Sequence, residues 1–167
     1  MRKSMLCLAL AAPLLCAPSF AAINTFSASL YGANEVGAGD PDGFGVATVS
    51  IDTVGLTVSW AILAIGVDMP LTGSHIHAGP AGVNGPVIVN FSGSLAGSGL
   101  ADPDLASITP ANAANFYVNI HNDDFEGGAI RGQLQFVGTT LPVPEPGTWA
   151  MMMAGLGVLG LMAKRRG

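Results

Sequence analysis

The most constraining feature of this chain is a two-residue period that recurs in short runs between turn residues. In VGLTVSWAIL, Leu56, Val58, Trp60 and Ile62 share one face, with Thr57, Ser59 and Ala61 on the other. NFYVNIH sets Phe116, Val118 and Ile120 opposite Tyr117, Asn119 and His121, and AIRGQLQF alternates Ile130, Leu134 and Phe136 with Arg131, Gln133 and Gln135. Successive side chains on a strand point to opposite faces, so this period fits half-buried strands and no helix. FSASLYG, GVATVSI and PVIVNF extend the set, and Asp40-Pro-Asp-Gly, Gly79-Pro80 and Glu126-Gly-Gly supply turns. About seven short strands with no room for crossover helices predict an all-β fold, an antiparallel Greek-key-like β-sandwich. One short helix is predicted at SITPANAAN, where Thr109 can cap and Pro110 suits the first turn.

Two segments stand outside this pattern. Arg2 and Lys3 precede an apolar stretch from Met5 to Pro18, and Ser19-Phe20-Ala21 offers small residues where a signal peptidase inspects the chain. Residues 1–21 therefore read as a secretory signal peptide, removed on export and too short to span a bilayer comfortably. Cys7 and Cys16 both lie inside it, so the exported chain has neither a disulfide nor a thiol nucleophile. At the other end, Pro144-Glu145-Pro146 leads into an uncharged apolar run over 148–163 and a basic end at Lys164, Arg165 and Arg166. As a helix that run is about 24 Å long, enough for a thin membrane. We read it as a transmembrane helix whose basic end stays cytoplasmic, with everything before it in the periplasm or outside.

Residues 22–141 remain, the size of one domain. They carry ten acids and a single base, Arg131, for a net charge near −9. Nucleic acid and anionic lipid are poor partners on that balance, so no nucleic acid is expected, and cations or a cationic partner are favoured. A lone base among ten acids is expected to form a structural ion pair. No lysine, Gly-x-Ser-x-Gly elbow or phosphate-binding loop occurs in the domain, so no enzyme is predicted, and a metal-dependent redox activity is the one chemistry left open.

The stretch SHIHAGPAGVNGP puts His75 and His77 on one face of a strand, with Ile76 on the other. His121 follows Ile120 in the same phase, so all three histidines of the chain fall on the polar side of their strands. Neutral imidazole is a ligand for copper and zinc, which makes His75, His77 and His121 a candidate metal site. A histidine at a strand end that merely bonds a loop carbonyl is the competing reading. Loop acids, Asp40 and Asp42, Asp102 and Asp104, and Asp123, Asp124 and Glu126, could collect calcium, but Asp-Pro-Asp-Gly also suits a type I turn with no ion. His77 and His121 each precede a loop and a return strand ending in Phe91 or Phe136, a weak internal echo.

The ordered Pro-Glu-Pro, short Gly- and Met-containing apolar helix and Arg cluster closely resemble the PEP-CTERM sorting signal of Gram-negative bacteria. That resemblance implies recognition at Pro144, Glu145 and Pro146 by an exosortase-type membrane protease, with 142–167 as sorting signal and the helix as a temporary inner-membrane anchor. SHIHAGPAGVNGPVIVNF and LASITPANAANFYVNIHNDDFEGGAIRGQL closely resemble the CHRD domain, the module of chordin and of many exported bacterial proteins, from about Phe26 to Phe136. The CHRD likeness implies an all-β domain and names no substrate. It departs at Ala129, where the family often carries an acid, so Arg131 must find another carboxylate. Its His-x-His also looks like the copper-binding strand of Cu/Zn superoxide dismutases, but three histidines are too few for a dinuclear site. The expected function is a non-enzymatic binding or structural role at the cell surface or matrix, with an extracellular protein or polysaccharide as partner. The alternative is a periplasmic or surface copper or zinc protein using the three histidines.

Overall fold

The computed structural model describes residues 21–141 and 146–165. Nine strands follow in chain order: β1 (Ile23–Tyr31), β2 (Phe44–Asp52), β3 (Thr57–Ile65), β4 (Leu71–Ala78), β5 (Val87–Asn90), β6 (Ala96–Ala101), β7 (Phe116–Asn122), β8 (Ile130–Gln133) and β9 (Gln135–Thr140). All pair antiparallel, in the order β5-β4-β7-β8-β1-β2-β3-β6, with β9 on β1. The all-β architecture is as expected. It holds nine strands rather than about seven because Leu134 interrupts the last run between β8 and β9, and the Gly-rich segment after Phe91 adds β6.

The sheet curls around one core. Phe26, Ala28 and Leu30 of β1, Ala47, Val49 and Ile51 of β2 and Val58 of β3 meet Ile76, Val89, Val118, Ile120 and Ile130 from the other half. Each belongs to the apolar phase of its strand, so alternation decides which face turns inward. Trp60 of β3 stacks on Phe91, just past β5, with centroids 4.3 Å apart, and its indole Nε1–H donates to the Ser94 carbonyl. That contact draws the β3 side of the sheet towards β5.

The helix expected at SITPANAAN does not form. Only a 3-10 turn at Ala113–Asn115 is present, because the Thr109 amide and hydroxyl both donate to Asn112 Oδ1 and close a local turn instead. So short a segment has little to gain from helix nucleation. The signal-peptide reading of 1–21 lies almost wholly outside the described residues, as do Pro144, Glu145 and Arg166.

The C-terminal helix α1 spans Pro146–Arg165, with Lys164 and Arg165 in its last turn. Among the described residues, no helix is long and apolar enough to cross a membrane. The apolar run read over 148–163 lies within this helix, and Lys164 and Arg165 follow it in the last turn.

Candidate metal centre

The site lies on the face of β4 and β7 turned away from the core. Antiparallel register sets Gly73 opposite His121, His75 opposite Asn119 and His77 opposite Tyr117. Histidines 44 positions apart in the chain thereby become neighbours. One ring nitrogen from each of His75, His77 and His121 lies within 4.8 Å of the other two. Ring centroids are 5.0 Å apart for His75 and His121, 5.5 Å for His75 and His77, and 5.9 Å for His77 and His121. Gly73 makes this possible, because a Cβ there would lie 2.6 Å from His75 Cε1 and 3.3 Å from His121 Cδ2.

The second nitrogens fix the tautomers. His77 Nδ1–H donates to the Gly85 carbonyl and His121 Nδ1–H to the Glu126 carbonyl, both at 2.9 Å. A carbonyl can only accept, so each Nδ1 holds the proton and each Nε2 presents a lone pair. His77 Nε2, His121 Nε2 and His75 Nδ1 are buried and have no hydrogen-bond partner. The turn-fixing role and the ligand role are thus both available, on different atoms of the same rings.

A metal about 2.0–2.1 Å from each nitrogen would set them roughly 3.3 Å apart, so ring rotations closing at most about 1.5 Å would complete the site. Burial, followed by the charges of His121 and His77, pushes the His75 pKa down to about 4. The His77 pKa is also lowered by burial, then by His121 and Arg131, against the raising effect of the Gly85 carbonyl. Both rings are therefore neutral at pH 7, the form that ligates. In the metal-free protein the unfolded chain takes up a proton on His75 near 6.5 and the folded chain only near 4. Stability must then fall as pH drops through that window. Thermal melts at stepped pH are expected to show Tm falling from pH 6.5 to 4, less steeply in His75→Gln. Superimposable slopes would remove His75 as the cause.

A second layer, which the sequence reading missed, surrounds the rings. Tyr117, 1 % exposed, stacks on His77 at 4.8 Å and 9°, and the Arg131 guanidinium carbon sits 3.4 Å from the centre of the Tyr117 ring. Tyr117 Oη accepts from the Gly85 amide. Arg131, also 1 % exposed, donates to the Pro80 and Val83 carbonyls, Asn84 Oδ1 and Gln133 Oε1. Among the described residues its hydrogen bonds run to neutral acceptors, under the loop from Gly79 to Pro86 whose Pro80 and Val83 carbonyls point inward. Glu35 is the carboxyl that senses Arg131; burial raises its pKa to about 7, against the lowering effects of Arg131 and then Asn119. The signal for this layer was Tyr117 and Asn119 sharing the phase of His121, a face that is covered rather than solvated.

The loop acids serve turns. Asp40 Oδ1 accepts from the amides of Asp42 and Gly43, and Asp102 Oδ1 from that of Asp104. Asp123 and Asp124 line a small cleft with Asp68.

A curled antiparallel domain with a covered three-histidine face, followed by a Pro-Glu-Pro tail and helix, defines an exported β-domain protein with a sorting signal. The CHRD domain family matches residues 26–134, more than half of the chain, and the chain belongs to that family. The PEP-CTERM protein-sorting motif matches residues 142–166, which implies export, membrane association and processing by an exosortase. No curated protein and no solved structure matches the chain.

Proposed function

We propose that this exported CHRD protein binds one copper or zinc ion through His75, His77 and His121. The observation that carries the reading is that one ring nitrogen of each histidine lies within 4.8 Å of the other two, on three rings that each keep a buried nitrogen without a partner, two of them fixed by Nδ1–H bonds to backbone carbonyls. Buried acceptors left bare cost about 1–3 kcal/mol each, and an ion satisfies all three at once. The role is non-enzymatic: the domain, taken as 22–141, is held at the inner membrane facing the periplasm and then passed by its 142–167 signal to the surface or matrix.

Elemental analysis of the exported full chain, carrying no histidine tag, tests this. One equivalent of copper or zinc is expected in the parent, with less than about a tenth retained in His75→Ala/His77→Ala. A parent that stays empty when metal is supplied sinks the proposal.

A second reading, contact with an extracellular protein or polysaccharide, is favoured by one surface. On the outer face of β2 and β3, the cross-strand pairs Phe44–Ile65 and Val46–Leu63 leave four large apolar side chains exposed side by side. Such a strip suits a partner better than water does.

A further inference from the structure

The cluster also selects among ions. Its three donors are neutral imidazoles, and among the described residues no carboxylate or cysteine joins the group. The three unpartnered nitrogens are shut off from solvent. Zinc held by three histidines takes a fourth ligand, and among the described residues no fourth protein donor stands with the group. Cu(I), a soft d10 ion of single charge, is satisfied by three neutral nitrogens.

Electrostatics act in the same direction. Arg131 stands behind Tyr117, within the sum of the two stacking separations of the His77 ring. Every hydrogen-bond acceptor found for its guanidinium is neutral, and Glu35, the carboxyl that senses it, has its pKa raised to about 7 by burial and is mostly protonated at pH 6. Two unit charges roughly 8–10 Å apart at an effective dielectric of about 20 repel enough to change affinity on the order of tenfold. Each further positive charge on the bound ion incurs that penalty again, so a divalent ion is disfavoured relative to a monovalent one.

We propose that the ion this cluster is built to hold is Cu(I), bound three-coordinate by His75, His77 and His121, with the Arg131–Tyr117 stack disfavouring Cu(II) and Zn(II). This rests on the cluster being a metal site, and the test separates the two claims. The metal-free exported full chain is titrated anaerobically at pH 6 with Cu(I) against bicinchoninate, and separately with Cu(II) and Zn(II) against competing chelators. Cu(I) is expected to bind one to one, at least tenfold more tightly than either divalent ion. The copper couple is then expected above the aqueous Cu(II)/Cu(I) potential. In Arg131→Gln the gap between Cu(I) and Cu(II) should narrow by about tenfold, equivalent to a fall of about 59 mV for a one-electron couple. A parent that binds Cu(II) or Zn(II) as tightly as Cu(I) overturns the selectivity while leaving the metal site standing. Failure to bind any of the three ions overturns both. An unchanged potential in a folded Arg131→Gln removes the arginine from the account, and if that variant does not fold, the parent comparison decides alone.

Discussion

Loading the metal-free chain with copper is expected to raise the Tm of the β domain by about 12 °C. A ligand that binds only the folded state contributes about 4 kcal/mol when its free concentration is a thousandfold above Kd. For a domain of this size each kcal/mol moves Tm by roughly 3 °C. The effect is large because the three nitrogens are already assembled: register brings His121 beside His75, Gly73 leaves room for both rings, and two Nδ1–H bonds hold the tautomers. Little ordering entropy is left for the metal to offset. Scanning calorimetry with and without copper, reversed by a chelator, reads the shift, and His77→Ala should abolish it. A shift below about 2 °C at saturating copper, or an equal shift in the variant, contradicts a preassembled site.

Local patterns in the sequence carried the strands well, because the period of two is a property of each strand by itself. Val58 and Ile62, Val118 and Ile120, and Ala47, Val49 and Ile51 are buried as their phase requires. The phase of His75, His77 and His121 was equally legible. Their meeting was not, because nothing local in SHIHAG or in YVNIHN states that β4 pairs with β7 in the register that sets Gly73 opposite His121. The same phase argument placed Tyr117, Asn119 and Arg131 on a polar face, yet Tyr117 and Arg131 are each 1 % exposed and Asn119 2 %. Coverage by a glycine- and proline-rich loop depends on tertiary bonds, here from Arg131 to the Pro80 and Val83 carbonyls, that no period encodes. The sorting tail was legible for the opposite reason, since its Pro-Glu-Pro, apolar run and basic end are contiguous in the chain.

The covering loop is also where one methyl group should do the most damage. Gly85 presents its carbonyl to His77 Nδ1 and its amide to Tyr117 Oη, so one peptide unit on each side holds a ring of the stack. Its Cα faces the neighbouring strand end so closely that a Cβ would collide with the Ala78 carbonyl oxygen, a backbone atom held in place by strand pairing. A flexible side chain could swing away from such a contact, but a carbonyl in β4 cannot. Gly85→Ala must therefore displace the loop, and with it the acceptor that keeps the proton on His77 Nδ1. The expected cost is about 3 kcal/mol of stability, at the upper end for adding a methyl group to a packed site. Copper affinity should fall about 10- to 100-fold, as when the group that orients a ligating histidine is lost. Urea denaturation measures the first quantity and competitive copper titration the second. Gly82→Ala serves as the control, because a Cβ there meets nothing within 4 Å, and its positive φ of 76° adds backbone strain without touching the His77 bond. Should Gly85→Ala lose stability while keeping full copper affinity, the loop would be a cover for the fold and not a support for the histidine.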